Sequence, residues 1–351
     1  MFVLSKVVGY LNRKTEKDFW HGEDVEITKH LNLPELTSEE YNLLKKTWPC
    51  FKFSNDDVIL GRLYKMQNGF DPYYISAGYH WILMTKQLNP HNQVCSLVNK
   101  ALVDLYFSKI PFPQAYIRCI NNILYDKEMN RVSFEEAVQF LMEKKQFVIK
   151  PSLNTKQGHG VKKIDLQQTD NVSKEWFKDL FSNATKNFII QEIVTQHPDV
   201  ARLNPTSLNC CRITSIYVGG KHACGAMLKI GKKDSIVDNW SSGYFVGITK
   251  EGKLNNVGWD KSFNAVTKTD NGIQFGGTNY PCFDTLVSSV ASYHKKYLPQ
   301  CGLIGWDVII DVNNRPVVIE ANLIIPGINA AQLCSGPIFK DVHDELVKQL
   351  L

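Results

Sequence analysis

Three oxygen-bearing side chains near the end of the chain have the types and spacing for metal chemistry. They are Asp307, Glu320 and Asn322, in Leu303-Ile-Gly-Trp-Asp-Val-Ile-Ile-Asp-Val-Asn-Asn-Arg-Pro-Val-Val-Ile-Glu-Ala-Asn322. Two Val/Ile-rich runs, 303–310 and 316–322, flank Asn313-Asn314 and read as a β-hairpin. A two-residue loop at those asparagines would set Asp307 directly across from Glu320, at about 4.5 Å between Cα atoms in a non-hydrogen-bonded pair. Asn322, two residues past Glu320, then points to the same face. Two opposed carboxylates repel and weaken a sheet, unless a cation sits between them. With oxygen donors only and no His or Cys nearby, that cation would be Mg²⁺ or Mn²⁺. The alternative is a solvated hairpin carrying two surface acids.

Other residues could bind anions. Phe147-Val-Ile-Lys150-Pro reads as a short strand ending in a lysine, and Ser152-Leu-Asn-Thr-Lys-Gln-Gly-His-Gly-Val161 follows as a polar loop. Gly158 and Gly160 let such a loop turn its N–H groups toward phosphate oxygens. The loop matches neither the Walker A order nor G-x-G-x-x-G, and a plain hairpin is the other reading. Lys100 falls in a helical pattern over 95–107, and Arg212 in a strand running to Tyr217. His197, His222 and His294 share no spacing with acids or with each other and read as structural or surface residues.

These residues need elements to position them. Capping boxes at Thr37-Ser-Glu-Glu40 and Ser133-Phe-Glu-Glu136 start helices to about Thr47 and Lys145. Strands are expected at 115–120, 147–150, 161–164, 187–194, 212–217, 223–230 and 245–249, with a Gly219-Gly220 hairpin turn. A long polar stretch to about Thr278 and a helix over 280–297 lead to the final hairpin. The aromatic-rich segment from Tyr64 to Trp81 reads as core or interface packing.

The chain has 351 residues, 44% hydrophobic and 21% charged, which is ordinary for a globular protein with room for a large core. A net charge of +5 without basic runs suits anionic small molecules and excludes a nucleic-acid footprint. Nine cysteines without C-x-x-C spacing argue against zinc and for reduced thiols in a cytoplasmic setting. No signal peptide and no apolar run of about 18 residues is visible. Oligomeric state is left open.

In chain order the sequence presents a lysine, a second lysine before a Gly loop, a strand with Glu192, an arginine, and a paired Asp and Glu-x-Asn. That order resembles the ATP-grasp superfamily over residues 96 to 335. His197-Pro-Asp-Val-Ala-Arg-Leu-Asn-Pro-Thr-Ser-Leu-Asn-Cys-Cys-Arg-Ile-Thr214, Val237-Asp-Asn239, Gly305-Trp-Asp307 and Ile319-Glu-Ala-Asn322 resemble the sugar-transfer-associated ATP-grasp family. One departure stands at Ser242-Gly243, where many relatives carry Gly-Gly.

The resemblance implies an α+β fold with two lobes sandwiching ATP. It places a short N-terminal region at 1–95, a first lobe at about 96–186 and a second lobe at 187–351. It implies that Lys100 and Lys150 contact phosphates and that the loop from Ser152, with Gly158 and Gly160, closes over them. Gln191, Glu192 and Val194 would line the adenine edge, and Asp199 would meet the ribose. Arg212 would contact the transferred phosphoryl group. Asp307, Glu320 and Asn322 would hold Mg²⁺, while Lys229, Asp238 and Asn239 would face the phosphates or the acceptor. The implied activity is ATP-dependent joining of a carboxylate, such as a uronic acid of a sugar or polysaccharide, to an amine through an acyl-phosphate. A phosphotransferase acting on a hydroxyl and a non-catalytic nucleotide-binding protein are the alternatives.

Overall fold

The computed structural model describes residues 18, 19, 21, 22, 24–26, 28–51, 58–79, 83–153, 158–236, 238, 243–324 and 326–351. Asn239, His80, Trp81 and positions 154–157 of the Gly loop lie outside them. Two antiparallel sheets organise the chain. The first holds β1 (Ala115–Ile120), β2 (Ile123–Tyr125), β3 (Gln146–Pro151), β4 (Lys162–Asp165) and β5 (Phe188–Gln191), in the order β2-β1-β5-β3-β4. The second holds β6 (Cys211–Val218), β7 (Lys221–Gly231), β8 (Gly243–Ile248), β9 (Leu254–Trp259), β10 (Ala265–Val266), β11 (Leu303–Ile310) and β12 (Pro316–Asn322), in the order β10-β9-β8-β7-β6-β11-β12.

Helices cover these sheets with the faces that their apolar spacing predicts. The longer helices are α1 (Ser38–Thr47), α2 (Ile59–Asn68), α3 (Phe134–Lys144), α4 (Lys174–Ser182), α5 (Phe283–Tyr297), α6 (Asn329–Ser335) and α7 (His343–Leu350). Both expected capping boxes form, at Thr37 for α1 and Ser133 for α3. Ala137 and Leu141 of α3 and Phe177, Leu180 and Phe181 of α4 pack on Phe147, Ile149, Phe188 and Ile190 of the first sheet. Leu286 and Val290 of α5 cover Cys211, Ile213, Ile304 and Trp306 on one face of the second sheet. On its other face lie α6 and the N-terminal segment. Leu44 and Trp48 join Ile216, Val218, Leu303 and Leu346, and Leu60, Leu63 and Tyr64 join Met227, Phe245 and Leu333. Each large side chain so buried contributes roughly 1.5–3 kcal/mol. Gly247 lets α6 lie directly on β8, since a Cβ there would collide with the Cys334 carbonyl. Among the described residues no helix is long and apolar enough to cross a membrane.

The structure corrects several expectations. The helix expected over 95–107 breaks at Asn99, whose side-chain oxygen accepts the Ala101 N–H at 3.0 Å and whose carbonyl accepts those of Leu102 and Val103. Lys100 therefore sits in a turn, with its N–H donating to the Ser152 carbonyl at 3.1 Å. The strand expected over 187–194 ends at Gln191 and lies between β1 and β3, so it belongs to the first sheet and the crossing between lobes follows it. The polar stretch before Thr278 contains β9 and β10. Only Leu254, Gly258 and Trp259 of β9 are buried, so no clean alternation marks it.

The final hairpin closes differently from the expected two-residue loop. Asp311 pairs with Arg315 around three residues, Asn314 is left-handed at φ 61°, and the Asp311 carboxylate accepts the N–H groups of Asn313 and Arg315. This loop alone would put Asp307 out of step with Glu320. A β-bulge between Val318 and Glu320 absorbs the extra residue, and the Asp307–Glu320 pairing is recovered.

Candidate active site

Three adjacent strands carry one row of charge. In register across β12, β11 and β6 stand Glu320, Asp307 and Arg212. Directly paired residues share a face, so all three project to the same side, and Lys229 of β7 joins them two residues beyond Met227, the partner of Arg212. Arg212 grips Asp307 with Nε to Oδ1 at 2.7 Å and Nη2 to Oδ2 at 2.8 Å. Lys229 Nζ stands 3.1 Å from Asp307 Oδ1 and 3.4 Å from Asp238 Oδ1. The second Asp238 oxygen accepts the Cys210 N–H at 2.7 Å, which ties the loop after β7 to the start of β6. Asn322 donates from Nδ2 to the Gly305 carbonyl at 3.1 Å and to Asp307 Oδ2 at 3.4 Å.

From the first lobe side, Lys100 Nζ reaches Glu320 Oε1 at 3.2 Å. Lys150, at the end of β3, is half-buried and feels both Lys100 and Glu320. Burial, then the Lys100 charge, lower its ammonium to about 8, and Glu320 opposes them in part. Burial alone would raise the Asp307 carboxyl, but the charges of Arg212 and Lys229 outweigh it and hold the group well below the usual carboxylate range. Burial likewise works against the Arg212 and Lys229 charges, and the neighbouring carboxylates raise both groups instead. Asp307 is only 5% exposed, which overturns the solvated-hairpin alternative.

Other candidates are placed differently. The Gln191 side chain is buried and donates to the Pro113 carbonyl at 3.2 Å. The Glu192 N–H donates to the Gln114 carbonyl at 3.0 Å, and its Oε1 accepts the Gln114 N–H at 2.8 Å, so the N–H and one carboxylate oxygen are already committed within the first sheet. Val194 is half-buried beyond β5. Asp199 is exposed in the short helix Pro198–Ala201, where it meets His197 and Arg202 rather than the charged row. Gly158 and Gly160 both take positive φ, and a Cβ at Gly160 would stand 2.8 Å from the Pro151 ring. Ser152 is buried, with an Oγ that has no partner among the described residues.

Two features escaped sequence reasoning. Gly305 gives Arg212 its space, since a Cβ there would lie 3.3 Å from Nη1; a glycine inside a Val/Ile-rich strand is the signal for such close approach. The second is on the opposite face of the same sheet. His222 and His294, expected to be unrelated, meet at Ser215, with 2.8 Å from Oγ to His222 Nε2 and 2.6 Å to His294 Nδ1.

The donor chemistry of the row fits a hard divalent cation: two carboxylates and an amide, all on one face. Among the described residues no three His, Cys, Asp or Glu side chains converge as a metal cluster, so a third protein ligand would have to be the Asn322 oxygen.

A family model described as sugar-transfer associated ATP-grasp matches residues 82–346. No curated protein matches the sequence. Among solved structures the chain is similar to D-alanyl-alanine synthetase A from Vibrio cholerae, at 11% identity over 72% of this chain and 63% of that one, with a TM-score of 0.39. It is similar to a D-cycloserine synthetase at 15% identity, covering 75% and 74%, with a TM-score of 0.41. It is also similar to a biotin carboxylase from Campylobacter jejuni at 10% identity, covering 74% and 48%, with a TM-score of 0.46. The chain thus spans less than two thirds of the Vibrio and Campylobacter proteins.

Proposed function

The chain belongs to the sugar-transfer-associated ATP-grasp family and has the α+β fold of the ATP-grasp superfamily, and from that premise we propose that it is an ATP-dependent carboxylate–amine ligase. The observation that supports this most is the Glu320–Asp307–Arg212 row, buried at Asp307, with Lys229, Lys100 and Lys150 around it. Four cations and a set of oxygen ligands at one place match what a metal–triphosphate needs.

Lys100 and Lys150 bind the phosphate chain, and the segment from Ser152 to Gly160 offers N–H groups to it. Arg212 turns from Asp307 to the oxygens of the transferred γ-phosphoryl group. Asp307, Glu320 and the Asn322 oxygen would hold Mg²⁺ or Mn²⁺, which would supply charge neutralisation to the triphosphate. A substrate carboxylate oxygen bonds to the γ-phosphorus as the bond to ADP breaks, giving an acyl-phosphate. An amine then bonds to the acyl carbon, phosphate leaves, and the amine proton passes to solvent. No protein nucleophile takes part in this scheme. Family membership points to a uronic acid of a sugar or surface polysaccharide, such as a capsule, as the carboxylate, and to an amino acid or similar amine as its partner.

Incubation with ATP, Mg²⁺ and a panel of uronic acids, followed by hydroxylamine, is expected to trap a hydroxamate along with ADP. A stable phosphoester seen by ³¹P NMR, with no hydroxamate, would replace the ligase by a phosphotransferase. Nucleotide binding with no ADP from any acid or alcohol would leave a binding protein.

A further inference from the structure

The groups proposed to hold the metal and those proposed to hold the triphosphate are bound to each other. Both Asp307 oxygens are taken by Arg212, and Oδ1 also by Lys229. Asn322 turns its amide nitrogen toward Asp307 Oδ2, and Glu320 pairs with Lys100. Lys229 has a further partner in Asp238. Arg212, Lys229 and Asp307 are all largely buried, at 16%, 15% and 8% side-chain exposure, so none of them is easily repartnered by water.

We propose that the ligand-free site is self-neutralised, and that its divalent cation and its triphosphate bind cooperatively because each alone breaks the same ion pairs. A cation arriving alone must take Asp307 from Arg212 and Lys229, which strips Arg212 of its carboxylate and leaves Lys229 with Asp238 alone. A triphosphate arriving alone must draw Lys100 from Glu320 and Arg212 from Asp307, which leaves two carboxylates facing a polyanion. When both arrive, every group exchanges one partner for another: the carboxylates take the metal and the cations take the phosphates. The coupling is reciprocal, so the factor by which the metal tightens ATP equals that by which ATP tightens the metal. The proposal rests on the function given above, since it assumes that the charged row is the metal–nucleotide site.

Isothermal titration of the full chain with ATP in EDTA, with Mg²⁺ alone, and with both tests this, corrected for MgATP formation in solution. The wild type is expected to bind MgATP at least about tenfold more tightly than metal-free ATP. The discriminating variant is Glu320→Gln. It loses a proposed metal ligand but no longer holds Lys100, so it should bind metal-free ATP about threefold more tightly than the wild type while binding MgATP about tenfold more weakly. Glu128→Gln, an exposed residue paired with Lys127, removes the same charge away from the site and should change neither affinity. Lys100→Met is the mirror variant. Freed Glu320 should bind Mn²⁺ alone about threefold more tightly by electron paramagnetic resonance. If the wild type binds MgATP but Glu320→Gln fails to tighten metal-free ATP, or tightens it no more than Glu128→Gln does, the self-neutralised resting state is overturned while the site assignment stands. If the wild type binds neither form of ATP, both fall.

Discussion

On one face of β6, β7 and β11, Arg212, Lys229 and Asp307 form a buried ion-paired row. On the other face, three residues further along β6, Ser215 joins His222 of β7 to His294 of α5. The rear cluster holds no formal charge. The Cys301 carbonyl can only accept, so His294 donates to it from Nε2 at 2.6 Å. His294 Nδ1 then accepts the Ser215 hydroxyl proton, and Ser215 Oγ accepts from His222 Nε2. Burial holds both imidazoles below their usual pKa, with His294 lowered to about 4. A sheet can therefore bury polar groups by pairing charges or by passing hydrogen bonds between neutral groups. The first arrangement has charge to offer a ligand; the second is a closed chain from His222 to Cys301.

Removing one member should separate the two faces most sharply at Asp307. Asp307→Ala leaves Arg212 and Lys229 buried without their shared partner, and is expected to cost about 3–5 kcal/mol in urea unfolding. It should also abolish ADP formation. Wild-type stability and turnover in this variant would show that the row does not hold the front face together.

The rear face should answer to pH. His294 in the folded chain has its pKa near 4, against an ordinary value near 6.5. Between those values the unfolded chain binds more protons, so stability is complete above about pH 6.5 and is lost as pH falls toward 4. The loss approaches about 3 kcal/mol for His294 alone, and lowered His222 adds in the same direction. Urea midpoints at pH 7.5 and 4.5 measure it. His294→Gln, which carries a donor and an acceptor but takes up no proton, should flatten most of that slope.

Ser215→Ala tests the same chain without a titration. It leaves one donor and one acceptor on the two imidazoles unmet, at a cost of about 1–3 kcal/mol. Its kcat for ADP formation should stay near that of the wild type, because Ser215 and Arg212 project from opposite faces of β6. A loss of kcat as large as that of a front-face variant would join the two faces into one functional unit.

What could be read from the residues divides along the same line. The front row was legible because its members lie in strands with strong β patterns: Asp307, Glu320 and Asn322 are separated by two-residue steps and a short turn. Even there the pairing was recovered through two compensating departures, a three-residue loop organised by Asp311 and a bulge before Glu320. The rear cluster was not legible, since Ser215 and His294 are 79 positions apart and only the packing of α5 brings them together. Gln114 and Glu192, 78 positions apart, are a similar case: sequence shows a glutamate, and the fold shows that one of its oxygens holds the Gln114 N–H. Asn99 is a local case. Its side chain competes with helix geometry, and an apolar spacing that suits a helix does not reveal which residue stops it.

Gly305→Ala is the smallest change that should still tell the faces apart. The backbone there is compatible with alanine, and the added Cβ would lie 3.3 Å from Arg212 Nη1, 3.4 Å from Pro326 Cβ and 3.6 Å from Asn322 Cβ. Those distances are tight but not prohibitive, so the guanidinium can yield by a few tenths of an ångström. The stability cost should be about 1 kcal/mol or less, below the usual range for overpacking, because the crowded atom ends a flexible side chain. The same shift draws Arg212 off its alignment with Asp307 and with an incoming phosphoryl group. Since catalysis is more sensitive to placement than stability is, ADP formation is expected to fall by about tenfold. The pH dependence of unfolding should remain that of the wild type, as Gly305 lies among the front-face groups and the imidazoles lie behind. An unchanged rate would mean that Arg212 tolerates displacement, and that its grip on Asp307 matters more for burying charge than for aligning it.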